Sequence, residues 1–218
     1  MKLHGLTPEI SMVAIPYGSY VSNEEGLHAG VSSWRRVDDN MIPARGKIAG
    51  AYVNSAFTKT DAVKAGFDEA IVLASDGKVS EGSAANVFLV KNGVAITPTT
   101  TDSVLEGITR RTVLDLLRRD LGLTVVERRI DRTEIYLADE AFFCGTGIQI
   151  AAITKVDHRA IGSGKIGPVV SGLRKLYFEV VRGRVPAYRH WCAPVYTPAR
   201  EEARQEAGPG PKPLRIAG

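Results

Sequence analysis

Residues 86–98, NVFLVKNGVAITP, set Asn92-Gly93 between two arms rich in valine, isoleucine and phenylalanine. Asn and Gly both tolerate positive φ, which a type I′ turn requires at its two central positions, so the stretch reads as a β-hairpin. A hairpin here constrains the rest of the chain, because antiparallel strands joined by two residues do not belong to a strictly alternating βα repeat. A polar loop, TPTTTDSVLEG, then leads into ITRRTVLDLLRRDLG. That segment predicts a helix, with Val113, Leu114, Leu116, Leu117 and Leu121 on one side and Gly122 at the C-cap position.

The flanking segments follow the same logic. EAIVLAS reads as a buried strand closed by the turn SDGK, LTVVERRI as a strand and RTEIYLAD as a short helix. EAFFCGTG predicts a strand ending in a tight turn, IAAITKVD another strand, and GPVVSGLRKLYFEVVRG an amphipathic helix. Nearer the start, SMVAIPYGSY and GLHAGVSSWRRV look β-like. GAYVNSAFTKTDAVKAG carries Tyr52, Val53, Ala56, Phe57 and Val63 at helical spacing, with Gly66 as its stop. Hairpins and helices without a regular βα repeat predict an α+β, mixed α/β fold. Residues 1–192 are expected to form one domain, and the Pro-, Gly- and charge-rich residues 193–218 a disordered tail.

Composition excludes several partner classes. The net charge is +4, but 28 basic residues are interleaved with 24 acidic ones, and only RRD, ERRIDR and VRGRVPAYRH concentrate positive charge, so no nucleic-acid partner is expected. No apolar run reaches the roughly 20 residues that span a bilayer, and the first residues lack a signal-peptide core, so a cytoplasmic protein without a membrane partner is expected. Cys144 and Cys192 belong to no metal or disulfide spacing, which fits a reducing compartment and no metal.

Four short motifs carry candidate chemistry. In PARGKIAGAYVNSAF, Lys47 follows Gly46, but Met41 and Ile48 stand where a phosphate-binding P-loop needs Gly and Ser or Thr. Taken alone, Lys47 is a solvated lysine. The small residues around it leave room for a flat ligand, and desolvation together with Arg45 would free a neutral amine for Schiff-base chemistry. In KVSEGSAANVFLV, Glu81 at the base of a small-residue turn is a solvated charge or a partner for a heteroaromatic nitrogen. In LEGITRRT, Gly107, Ile108 and Thr109 open the helix, where free N–H groups form either an ordinary cap or a phosphate site. In FFCGTGIQI, the turn Gly145-Thr146-Gly147 is a plain turn or a second anion cradle.

Jointly and in this order, SSWRRV, ARGKIAGAYVNS, SEGSAANVF, LEGITRRT, YLADEAFFCGTG and GPV give a chain that resembles the class IV, fold type IV, pyridoxal phosphate aminotransferases. The branched-chain amino acid aminotransferases are the most similar group, and the resemblance runs from about Met12 to Trp191. It implies the large C-terminal domain of that fold, a pseudo-barrel of mostly antiparallel strands with flanking helices, and pyridoxal 5′-phosphate as cofactor. Lys47 would carry the cofactor as a Schiff base and move the proton, Glu81 would bind the pyridine nitrogen, and Tyr52 the phenolate oxygen. Leu105 would pack on the ring, and Gly107, Ile108, Thr109 and Thr146 would hold the phosphate. Thr146 and Gly147 would meet the substrate carboxylate, and Trp34 would wall the side-chain pocket.

The implied reaction is amino transfer between leucine, isoleucine or valine and 2-oxoglutarate. D-amino acid aminotransferase and aminodeoxychorismate lyase share the fold, and a non-catalytic remnant is the alternative of another class. Family members carry a smaller N-terminal domain ahead of the match, which supplies an arginine to the phosphate and one wall of the cleft. On that resemblance this chain is expected to be a truncated form lacking that domain, and a homodimer is expected when the domain is present.

Overall fold

The computed structural model describes residues 2, 4–16 and 25–194. Residues 11–16, half of the first expected strand, adopt no regular structure, and the other half, 17–20, lies outside the described residues, as do residues 195–218 of the expected tail.

The hairpin forms as its sequence requires. Strands β4 (Asn86–Lys91) and β5 (Val94–Thr97) pair antiparallel across Asn92 (φ 49°) and Gly93 (φ 73°). Strand β1 (Leu27–Arg35) runs parallel to β2 (Glu69–Leu73) and to β8 (Gln149–Val156). Parallel neighbours cannot be joined by a tight turn, so helix α1 (Tyr52–Lys64) carries the chain from β1 back to β2. Helix α2 (Ile108–Arg119) does the same between β5 and its parallel partner β6 (Thr124–Glu127). Strand β3 (Val79–Gly82) adds antiparallel to β2, β7 (Glu140–Gly145) joins β4 and β8 antiparallel, and β9 (Arg159–Ala160) adds to β8. Among the described residues this is one nine-stranded mixed sheet in the order β3-β2-β1-β8-β7-β4-β5-β6, with β9 beside β8.

The pleat divides the core between two faces. Val87, Leu89, Phe143 and Ile153 join Leu27, Ile71 and Ile135 in one cluster. Phe88 and Phe142 point the other way, stacked with ring centroids 5.0 Å apart. Helix α2 packs on β7 and buries Val113, Leu114, Leu116 and Leu117, while Leu121 lies just past its end and Gly122 takes φ +63°. At Arg132–Leu137 the short helix is a 3-10 turn capped reciprocally by Asp131 and Glu134.

The helix expected at Tyr52 forms and ends before Gly66, but it buries a different set of residues from the large apolar ones. On α1 the buried residues are Ser55, Thr58 and Ala62, whereas Val53, Phe57 and Val63 are half exposed. Small side chains let the helix lie close to β1 and β2, and Asn54 donates from its amide to the Arg35 carbonyl at 3.1 Å. The small-residue turn forms at residues 83–85, but Glu81 at its base is not the solvated charge that one reading makes it. That residue sits inside β3, opposite Val72 of β2, in a strand buried along its whole length.

The described chain divides into two compact units, Met1–Arg174 and Lys175–Gly218, with α3 (Pro168–Val181) running from one into the other. In the first, Glu140 accepts the N–H groups of Val169 (3.0 Å) and Val170 (2.8 Å) and so caps the start of α3. In the second, a 3-10 turn at Pro186–Trp191 packs Tyr188 on Trp191. No helix of the described residues is long and apolar enough to cross a membrane.

Candidate active site

The chain ends of β1, β3, β5 and β7 deliver side chains to one cleft of about 260 Å³ in the first unit. Lys47, Tyr52 and Glu81 line it. So do Leu105, Gly107, Ile108, Thr109 and Thr146. Trp34 and Gly147 do not: the Trp34 ring stacks on Phe57 at 5.1 Å, with Nε1 donating to Asp61 Oδ2 at 2.8 Å.

Lys47 lies on the loop between β1 and α1, and no hydrogen bond or ion pair joins it to another described residue. It is exposed, and the neighbouring Arg45 is bonded to Glu106 at 2.7 Å. The dry surroundings and the free neighbouring cation expected from the sequence are therefore missing in this chain. The Arg45–Glu106 pair instead ties the lysine loop to the loop before α2.

Glu81 is buried, and three donors from different parts of the chain converge on it. Arg36 Nε stands 2.9 Å from Oε1, and Asn86 Nδ2 and the Leu105 N–H each stand 3.1 Å from Oε2. Desolvation outweighs them and pushes the carboxyl up to about 7, against the pull of Arg36, the Leu105 N–H and Arg110. The Tyr52 phenol is raised above its ordinary value, first by burial and then by the Glu81 charge.

At the start of α2, Gly107 is extended (φ −64°, ψ 137°) and caps the helix with no side chain. The first-turn N–H groups are left to a ligand, and the helix dipole favours an anion there. Arg110 adds positive charge in the same turn, held by the Pro98 carbonyl and Glu127 at 2.9 Å each. A close approach favours glycine at 107: a Cβ there would come within 2.3 Å of Asn86 Oδ1 and push that amide aside.

Arg36 and Asn86 are the site residues that motif reading missed. Each stands in a quoted motif, SSWRRV or SEGSAANVF, but neither carries a local signal for its role, because the partner of each is fixed by tertiary pairing. A primary amine, a charge-bearing carboxylate at the base and a helix N-terminus in one cleft suit a flat, phosphorylated heteroaromatic carbonyl compound.

Comparison with known proteins agrees with this geometry. Residues 3–156 match the family described as amino-transferase class IV. The chain is 50% identical over 195 residues to a probable branched-chain-amino-acid aminotransferase of Aquifex aeolicus, covering 89% of this chain and 63% of that protein. It is 41% identical over 194 residues to the branched-chain-amino-acid aminotransferase of Pseudomonas aeruginosa, covering 88% and 62%. Among solved structures, the branched-chain aminotransferase of Thermoproteus uzoniensis with norvaline superposes with a TM-score of 0.80 at 43% identity, over 84% of this chain and 60% of that one. The Thermobaculum terrenum enzyme in its PLP-form gives 0.80 at 44%, over 84% and 59%. The chain thus spans less than two thirds of the length of these relatives. Within that span, the family match and the shared fold lead to one conclusion: this chain belongs to the class IV amino-transferases.

Proposed function

We propose that the protein is a pyridoxal phosphate-dependent transaminase that moves an amino group between leucine, isoleucine or valine and 2-oxoglutarate. The observation that carries this reading is the convergence of Lys47, Glu81 and the N-terminus of α2 on one cleft. The names of the relatives supply the substrate class. The free thiols of Cys144 and Cys192 suit a cytoplasmic setting, and the family resemblance supplies the homodimer.

The residues fit the cofactor by their chemistry. Bound there, pyridoxal phosphate supplies an electron sink for charge developed at the substrate α-carbon. The Lys47 amine would hold the cofactor at its carbonyl carbon and, once displaced by the substrate amine, would carry the proton to and from the substrate α-carbon. Glu81 would accept from the ring nitrogen and hold it protonated. Tyr52, kept protonated by burial, would donate to the phenolate oxygen. The N–H groups of Ile108 and Thr109 and the hydroxyls of Thr109 and Thr146 would take the phosphate, and Leu105 would cover the ring.

The test is a half-reaction on the purified chain loaded with pyridoxal phosphate. L-Leucine, L-isoleucine and L-valine are expected to yield their 2-oxo acids. Conversion of D-alanine alone, or pyruvate release from aminodeoxychorismate alone, would replace the proposed substrate class. Bound cofactor with no conversion of any of them would favour a non-catalytic protein.

A further inference from the structure

Arg36 is a charged residue of the cleft that neither the motifs nor the assigned roles account for. It follows directly on β1, its backbone N–H donates to the Leu73 carbonyl at 2.9 Å, and its side chain is only 10% exposed. The guanidinium sits between β3 and the loop before α2: Nε is 2.9 Å from Glu81 Oε1 and 3.2 Å from the Ser103 carbonyl. That loop is pinned in turn, since Asp102 accepts from Arg129 Nε at 3.0 Å and from the Thr99 N–H at 2.9 Å. The arginine is held in place from both sides.

Glu81 has about four lone-pair sites on its two oxygens, and Arg36, Asn86 and the Leu105 N–H take three. One remains. We propose that Arg36 is a positioning residue for Glu81, supplying the charge that favours the ionised carboxylate against burial at the base of the cleft and leaving one lone pair free for a protonated ring nitrogen. The cofactor half of this statement rests on the transaminase reading above, whereas the Arg36–Glu81 half does not.

The other groups facing Glu81 do not replace Arg36. Asn86 and the Leu105 N–H are neutral donors. Tyr52 and Cys144 are both pushed up by burial and stay uncharged near neutral pH. Arg110 is committed to Glu127 and the Pro98 carbonyl. Lys47 lines the same cleft but makes no ion pair with Glu81 or any other described residue. Without Arg36 less charge would oppose burial, and the carboxyl, already pushed up to about 7, would be protonated throughout the neutral range. It would then present an O–H to the ring nitrogen instead of accepting from it, and the electron sink would be lost.

The experiment is a carboxyl ¹³C titration of the cofactor-free chain labelled at glutamate, with Glu81→Gln assigning the signal. Arg36→Met and Arg36→Gln are expected to raise the Glu81 midpoint by about one pH unit or more, roughly tenfold in proton affinity, whereas Arg36→Lys stays close to the parent. The glutamine variant keeps a neutral donor, so it separates charge from hydrogen bonding and serves if the methionine variant does not fold. An unchanged midpoint in the neutral variants overturns the proposal. In the loaded protein, ¹⁵N-labelled cofactor reports the ring nitrogen, expected protonated in the parent and in Arg36→Lys and neutral in Arg36→Gln; a protonated nitrogen in Arg36→Gln overturns the cofactor half. Failure of the parent chain to bind cofactor refutes the transaminase reading instead, and the cofactor-free titration still decides the Arg36–Glu81 pairing.

Discussion

Replacing Glu81 by glutamine should change how stability depends on pH in a way no surface residue could imitate. In the folded chain the carboxyl titrates at about 7, against an ordinary 4.5, because burial penalises its charge more than Arg36 and the Leu105 N–H repay it. The sign follows from proton counting. Between those two values the unfolded chain has lost the proton and the folded chain keeps it, so stability falls as pH rises and levels off above about 7. The gap corresponds to about 3 kcal/mol, as an order of magnitude. Glutamine cannot ionise and removes this slope, although it leaves the Arg36 guanidinium without its counter-charge at every pH. The assay is urea unfolding of both chains at several values between about pH 4 and pH 8, taking the difference in unfolding free energy at each. Other titrating groups cancel in that difference. The glutamine chain should gain about 3 kcal/mol relative to the parent across the window, nearly all of it between about 4.5 and 7. Two parallel stability curves would refute the claim that Glu81 is buried and desolvated.

Other consequences follow from single contacts. In Gly107→Ala the new methyl group would displace the Asn86 amide from Glu81 and Leu105, so stability should fall by about 1–3 kcal/mol and pyridoxal phosphate should bind roughly tenfold more weakly in an absorbance titration. Phe88→Ala removes half of the fully buried Phe88–Phe142 stack and should cost about 3–5 kcal/mol in denaturant unfolding, while the affinity for pyridoxal phosphate changes little.

Legibility in the sequence tracked locality. Asn92-Gly93 and the leucine-rich face of α2 were readable because a turn type and a helical period are properties of adjacent residues, and both formed where expected. On α1 the same period located the helix but not its buried face. Phe57 and Val63 repeat helically, but the close approach to β1 and β2 selects Ser55, Thr58 and Ala62 for burial and turns the larger apolar residues outward. Strand β3 was hidden because VSEG has little β-propensity of its own and is held in place by β2. At the site, Lys47, Glu81 and the start of α2 were found as separate motifs with ordinary readings, and their meeting in one cleft is a product of the sheet order. Arg36 lay beyond sequence reading altogether, because its partner is fixed by tertiary pairing and not by spacing.

The central claim is that Lys47 is the covalent anchor of a pyridoxal phosphate site. The most direct measurement is borohydride reduction of the chain after incubation with pyridoxal phosphate, followed by peptide mass mapping. The account predicts one stoichiometric phosphopyridoxyl group, on the peptide containing Lys47, and its loss in Lys47→Ala with the fold intact by circular dichroism. Labelling spread over surface lysines, or unchanged in Lys47→Ala, would contradict it.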